Sequence, residues 1–111
     1  MEVTSKQFKH CDLLAVKGRV DSSTAPKLGE ALDAVVAEGR YKIAIDMAGL
    51  ESMSSAGFRA LIAAQRNCRK YNRGEVVLAA VPANINAALE LAGFTSLFRV
   101  FADVTTAVGS L

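Results

Sequence analysis

Segments with a strand pattern alternate with segments with a helix pattern along most of the 111-residue chain, and this alternation restricts the possible folds more than any other feature. Strands that alternate with helices form mainly parallel sheets, because each helix carries the chain back across the sheet to the next strand. The sequence therefore predicts one α/β domain, residues 1–111, with a mixed central sheet of four to five strands and four helices. The first two strands are expected to form an antiparallel hairpin.

The predicted elements follow from apolar periodicity and from residues that begin or end helices. Strands are expected at residues 3–8, 13–20, 42–47, 75–81 and 98–101. Helices are expected from the Asp21–Thr24 segment to Gly39, from Ser55 to Asn72, from Asn84 to Leu91 and from Asp103 to Val108. A loop is expected at Ala48–Ser54. The run KIAIDM at 42–47 is almost continuously apolar, which is typical of a central strand covered on both faces.

Charge and hydropathy argue against several classes of protein. The 13 basic and 11 acidic residues give a net charge of +2, which does not indicate a nucleic-acid binder or a membrane-surface protein. No apolar run reaches the roughly 20 residues that a membrane span requires. The first residues, MEVTSKQFKH, lack the apolar region of a signal peptide. We therefore expect a cytoplasmic protein whose partners include neither nucleic acid nor membranes.

The reactive side chains predict neither a metal site nor an enzyme. Cys11 and Cys68 lie far apart in the sequence, and His10 is the only candidate base for a catalytic serine. The two cysteines are expected to be reduced, half-buried thiols. No GxxxxGK[ST] or GxGxxG motif is present. We expect no catalytic residues, no metal and no cofactor of the protein's own.

Two serines at the predicted start of the second long helix are the most informative residues. Ser54 and Ser55 follow Asp46, which falls at the carboxyl end of the predicted central strand, where functional residues of open α/β sheets collect. Capping alone explains a serine at this point, because Ser is a preferred N-cap residue. The same geometry also suits a phosphoserine, because free backbone N–H groups and the helix dipole stabilise an anion there.

Five short motifs resemble the STAS family, which includes bacterial anti-sigma factor antagonists and the cytosolic tails of sulfate transporters. They are IDM at 45–47, MSSAGF at 53–58, GRVD at 18–21, LAGF at 91–94 and LFRV at 97–100. The motifs occur in the family's order and spacing, and the resemblance covers the whole chain.

The resemblance implies a switch controlled by phosphorylation. In this family the serine two residues before the glycine is phosphorylated by a partner that is both anti-sigma factor and serine kinase; here that position is Ser55, before Gly57. The unphosphorylated protein binds this partner and the phosphorylated protein releases it, and a phosphatase is a further expected partner. ATP and Mg²⁺ would be bound by the kinase. Many antagonists have Asp where this chain has Ser54, so Ser54 is the alternative target.

The partner-binding surface is predicted around these serines, and some roles within it stay open. Its predicted members are Asp21, Asp46, Met53, Ser54, Ser55, Gly57, Phe58 and Arg59. Asp46 either caps the following loop or acts beside Ser55, and Asp21 either caps a helix or is a functional acid. An alternative function is a STAS subunit that acts as a scaffold in a transporter or stress-sensing complex.

The second long helix carries several cations and no acid among them. These cations are Arg59, Arg66, Arg69, Lys70 and Arg73. They form either a solvated face or a basic rim that attracts an acidic partner.

Overall fold

Six strands and four helices make up the fold. The computed structural model describes the backbone of residues 1–111 and every side chain except that of Tyr71. The strands are β1 (Glu2–Gln7), β2 (Asp12–Val20), β3 (Lys42–Asp46), β4 (Leu50–Met53), β5 (Glu75–Ala79) and β6 (Val100–Phe101). The helices are α1 (Ala25–Ala37), α2 (Ser55–Arg69), α3 (Ala83–Leu91) and α4 (Val104–Gly109). Short 3-10 turns occupy Lys70–Asn72 and Thr95–Leu97.

The sheet is mixed, with strand order β1-β2-β3-β5-β6. β1 and β2 form the predicted antiparallel hairpin, and β2, β3, β5 and β6 are parallel neighbours. β4 lies off this path and pairs in parallel with the end of β2. The predicted α/β fold with a mixed sheet and four helices is therefore confirmed.

The segment predicted as a loop, Ala48–Ser54, contains the strand β4, and this part of the prediction is wrong. Its partners are Gly18–Val20, at a point where the register of β2 shifts between Gly18 and Arg19. Only Leu50 of the four residues is fully buried, so β4 has no clear alternating pattern. β4 raises the strand count to six, above the predicted four to five.

The two faces of the central strands are buried against different partners. Ile43 and Ile45 of β3 belong to the large apolar cluster that includes residues of α1, α2 and α3. Ala44 faces the other side, where it joins a small cluster with Ala107 of α4. This burial on both faces explains the continuous apolar run of the third strand.

The end of α1 and the start of α4 lie where the sequence predicts them, whereas the start of α3 does not. α1 ends before Gly39, whose φ of +79° favours glycine, as predicted. α4 begins after Asp103, whose Oδ1 accepts a 2.7 Å hydrogen bond from the Thr106 N–H, and this bond lowers the pKa of Asp103. The prediction for Asn84 is wrong, because Pro82 is the N-cap of α3. Asn84 lies in the first turn, and its Nδ2 instead donates to the Glu51 carbonyl at 2.9 Å.

Both cysteines are free thiols and are buried more completely than predicted. Cys11 is 4% exposed and Cys68 is fully enclosed. Burial raises the pKa of the Cys68 thiol to about 11, and it also raises the pKa of Cys11. Neither thiol is therefore poised to react as a thiolate at neutral pH. Across the described part of the chain, no helix combines the length and the apolar character needed to cross a membrane.

Candidate functional site

The ends of β2 and β4 bring the predicted site together. The Ser54 N–H donates a 2.8 Å hydrogen bond to the Val20 carbonyl, so Ser54 and Asp21 leave neighbouring parallel strands at the same edge of the sheet. This is the carboxyl edge, where open α/β sheets place functional residues. The turn before α1 and the first turn of α2 therefore form one continuous surface.

The two adjacent serines occupy opposite environments. Ser55 is the first residue of α2 and its side chain is exposed, as predicted. Ser54 is the N-cap residue, with φ −82° and ψ 172°, and its carbonyl accepts the Phe58 N–H at 3.2 Å. Its hydroxyl caps nothing: the Oγ atom is buried and has no hydrogen-bond partner among the described residues. Ser55 is therefore exposed, whereas the Ser54 hydroxyl is enclosed.

Gly57 is required because the first turn of α2 packs very closely onto the sheet. A Cβ atom at this position would lie 2.6 Å from Met53 Cγ and 2.8 Å from Val20 Cγ1. Such distances are far below ordinary van der Waals contact, so a larger residue would push the helix away. The glycine therefore sets how deeply the serines sit against β2 and β4.

Asp21 organises the turn that leads into α1. Its Oδ1 accepts hydrogen bonds from the N–H groups of Ser23 at 2.9 Å and Thr24 at 3.1 Å, and from the Ser23 hydroxyl at 2.6 Å. The hydrogen bonds from Ser23 are the main reason that the pKa of this exposed carboxyl is lowered. Asp21 thus stabilises the turn before α1, and its prediction as the helix cap is wrong in detail, because Thr24 is the N-cap residue of α1.

Comparison with known proteins identifies the family. The family model described as "Mlab, STAS domain" matches residues 3–100. The chain belongs to the STAS domain family. The resemblance inferred from the five motifs is confirmed.

Several similar proteins show how far this relationship extends. BtrV of Bordetella bronchiseptica, a proposed anti-sigma factor antagonist, is 29% identical over 100 residues, which are 90% of this chain and 85% of that protein. The anti-sigma-B factor antagonist of Listeria monocytogenes is 25% identical, over 90% of this chain and 86% of that protein. A crystal structure of an anti-sigma factor antagonist from Mycobacterium paratuberculosis shares the fold, with TM-score 0.85, 24% identity, and coverage of 98% of this chain and 92% of that one.

Asp46 supports the loop after β3 in this STAS domain. Its Oδ1 accepts the Ala48 N–H at 3.0 Å, so the loop-cap interpretation is confirmed. Among the hydrogen bonds of the described residues, none joins Asp46 to Ser55. Its predicted role in partner binding stays a prediction.

Two predicted members of the partner-binding surface are buried, and this part of the prediction needs correction. Phe58 is 7% exposed and packs with its ring centroid 6.3 Å from that of Phe94. Gly57 is covered by Met53 and Val20. Phe58 belongs to the apolar stripe of α2, so the same periodicity that predicted the helix also removes this residue from the surface. Both residues shape the site from beneath.

The exposed surface consists of Asp21, Ser55 and Arg59, with Met53 partly buried beside them. Met47, by contrast, lies wholly in the core. Sequence reasoning missed one neighbouring pair, Arg19 and Glu51, whose Nε and Oε2 atoms lie 3.4 Å apart on the surface. This pair forms because β4 lies beside the end of β2, and the sequence pattern did not reveal that strand.

The site has no arrangement suited to a resident metal ion. Within the part of the chain that the structure describes, no group of three or more His, Cys, Asp and Glu side chains comes together. Ser55 presents an exposed side chain at the start of α2 within this site.

Proposed function

We propose that this STAS domain is a cytoplasmic anti-sigma factor antagonist that acts as a phosphorylation switch. Unphosphorylated, it holds an anti-sigma factor that is also a serine kinase; phosphorylated at Ser55, it releases this partner, and a phosphatase resets it. The names of BtrV and of the Listeria protein support the function. The observation that carries the proposal is the contrast between the exposed Ser55 and the buried hydroxyl of Ser54.

The position of Ser55 allows a phosphate without loss of the fold. The N–H groups in the first turn of a helix lack intrahelical partners and lie at the positive end of the helix dipole. A phosphoserine adds a charge of about −1.5 to −2, and charges of this sign are favoured there by about 0.3–1 kcal/mol. Since Ser55 is exposed, the phosphate also stays in contact with water. Phosphorylation therefore changes the surface and leaves the packing of α2 in place.

The same phosphate disfavours binding because it adds negative charge to the local surface. Asp21 follows Val20, whose carbonyl accepts the Ser54 N–H, and Arg59 lies four residues after Ser55, about one turn along α2. An interface that fits the unphosphorylated surface must then desolvate the added charge or face it with a like charge. Mismatches of this kind cost several kcal/mol, which exceeds the small gain at the helix end. The effect on binding is thus larger than the effect on folding, and opposite in sign.

Ser54 is a poor substrate for a kinase because of its position. Phosphoryl transfer needs the attacking hydroxyl in line with the γ-phosphate and its leaving group. The Ser54 Oγ is buried, so this side chain would have to turn outward before a kinase could reach its hydroxyl. In this proposal the protein itself performs no catalysis, and the kinase supplies the bound ATP and Mg²⁺.

Mass spectrometry of the protein purified from its native cells tests the proposal. We expect phosphate on Ser55, its complete loss in Ser55→Ala, and its retention in Ser54→Ala. Phosphate on Ser54 alone would show that the assignment of the site is wrong by one residue. Absence of phosphate on both serines, together with stable incorporation into a larger complex, would favour the scaffold role instead.

A further inference from the structure

A groove runs along the carboxyl-terminal half of α2, away from Ser55. It has a volume of about 380 Å³ and is bounded by α2 on one side and by the turn Thr95–Leu97 on the other. Ile62 and Leu97 are half-buried and pack against the core from this groove. The remaining lining residues are Gln65, Arg66, Arg69 and Lys70. The groove therefore combines an apolar floor, formed by Ile62 and Leu97, with a cationic rim, formed by Arg66, Arg69 and Lys70.

Gln65 holds the two walls of the groove together. This side chain is 3% exposed, and its Nε2 donates to the Val76 carbonyl at 2.9 Å and to the Leu97 carbonyl at 2.7 Å. Its Oε1 accepts the Val76 N–H at 2.6 Å. These bonds fix the Leu97 segment to α2 and β5. A preformed groove of this kind binds a ligand with less loss of conformational entropy than a mobile one.

The rim is cationic, and the charge of Arg69 is only partly neutralised. α2 contains no acidic residue along its 15 positions. Glu75 lies 3.9 Å from Arg69, but its carboxylate also binds Arg99 at 2.5 Å, so one acid is shared by two guanidinium groups. Among the described residues that line the groove, none carries a carboxylate. The rim thus places cationic side chains beside an apolar surface.

We propose that this groove binds an acidic amphipathic helix of a partner protein. Apolar side chains at the i, i+3 and i+4 positions of that helix would cover Ile62 and Leu97, and its flanking carboxylates would face the rim. From Ile62 to Lys70 the groove extends about 12 Å, or roughly two helical turns. A basic face that served only to contact solvent would need no apolar floor, and a nucleic-acid backbone would gain nothing from one. The combination favours an amphipathic and acidic ligand.

The groove can be tested by NMR titration of the ¹⁵N-labelled protein. The probe is a synthetic peptide about 15 residues long, the length at which isolated helices become marginally stable, with leucines on one face and glutamates on the others. We expect chemical-shift changes concentrated at residues 62–70 and 95–97. The double variant Arg66→Glu/Lys70→Glu should weaken the peptide about tenfold, because two attractive charge pairs become repulsive. Ile62→Ser should also weaken it, through loss of the apolar floor.

Two matched controls separate the groove from general charge effects. Lys6→Glu/Lys27→Glu changes the net charge by the same amount at exposed positions on β1 and α1, and it should leave the peptide affinity unchanged. The same peptide with lysines in place of glutamates should not bind. Absence of shifts, shifts elsewhere on the surface, or equal binding of both peptides would overturn the proposal. Groove-localised binding of phosphatidylglycerol vesicles in preference to the peptide would overturn it in favour of a membrane. None of these results bears on phosphorylation of Ser55.

Discussion

Ser54→Ala removes the hydroxyl of the N-cap residue of α2, and this hydroxyl does not make the hydrogen bond of an ordinary N-cap. A Ser→Ala change at an N-cap usually destabilises by about 1 kcal/mol, because the hydroxyl accepts a backbone N–H of the first turn. The Ser54 side chain accepts no such bond, and its buried Oγ has no partner among the described residues. A buried hydroxyl without a hydrogen bond destabilises by about 1–3 kcal/mol. Ser54 therefore lacks the stabilisation of an N-cap hydrogen bond and keeps the free-energy cost of a buried, unpaired hydroxyl.

We therefore expect Ser54→Ala to be more stable than the wild type by about 1 kcal/mol, at the lower end of the penalty for an unpaired hydroxyl. The lower end applies because removal of one oxygen leaves a small void beneath α2. For a chain of this length the change corresponds to a rise in Tm of roughly 4 °C. Urea unfolding and calorimetry measure it directly. Ser55→Ala is the matched control, since this exposed side chain should change the stability by no more than about 0.5 kcal/mol.

A decrease of about 1 kcal/mol in Ser54→Ala would refute the reasoning, because it is the result expected for an ordinary N-cap. It would mean that the hydroxyl turns outward and caps α2 in solution. Such a hydroxyl would also be accessible to a kinase. The same measurement therefore tests the basis on which Ser55 is preferred over Ser54.

Three further perturbations test other parts of the structure. Gly57→Ala should destabilise the protein by about 1–3 kcal/mol in urea unfolding, because the added methyl group overpacks the contact beneath α2. Gly29→Ala in α1, where an added Cβ meets nothing within 4 Å, should instead stabilise the protein by about 0.5–1 kcal/mol. Equal effects of the two substitutions would contradict the close approach of α2 to the sheet. Burial raises the pKa of Cys68 from 9.0 to about 11, so the thiol keeps its proton to higher pH in the native state than in the unfolded chain. The stability that this thiol contributes should therefore be complete below pH 9 and should fall between pH 9 and pH 11. In unfolding titrations, Cys68→Ala should remove that part of the pH dependence. Ser55→Asp should keep its thermal midpoint yet lose affinity for the anti-sigma partner, while Ser55→Ala should bind it constitutively; calorimetric unfolding and a dissociation constant for each variant check this, and a large fall in the midpoint of Ser55→Asp would point to a damaged fold instead.

The fold was predictable where a sequence pattern spans a whole element. The stripe on α2 and the continuous apolar run of β3 each report burial over several residues, and both elements lie where they were expected. β4 escaped prediction because it has four residues and is stabilised by pairing with Gly18–Val20, some thirty residues earlier in the chain. The error at Asn84 has the same origin. Its amide donates to the carbonyl of Glu51, a partner that exists only once β4 is in place.

The candidate site was predictable in position but not in detail. Ser55 could be assigned to the first turn because the apolar stripe of α2 begins just after it. The burial of the Ser54 hydroxyl could not be read from the sequence, since it depends on how closely α2 approaches Val20 and Met53. Phe58 was assigned both to the stripe and to the partner surface, and its burial shows that the stripe decides. Local periodicity places an element, whereas tertiary packing decides which of its side chains remain accessible.

α2 carries both proposed surfaces, and the structure indicates that they act independently. Ser55 and Arg66 are separated by about 16 Å along the helix axis, which is about twice the Debye length of roughly 8 Å at physiological ionic strength. A phosphate on Ser55 therefore changes the potential at the groove very little. Coupling would require α2 to move, and the close contact at Gly57 and the three hydrogen bonds of Gln65 oppose such a movement at both ends. The affinity of the acidic peptide for the groove should thus be equal in the wild type and in Ser55→Asp. A clear difference between them would show that α2 shifts as a unit when its first turn becomes charged.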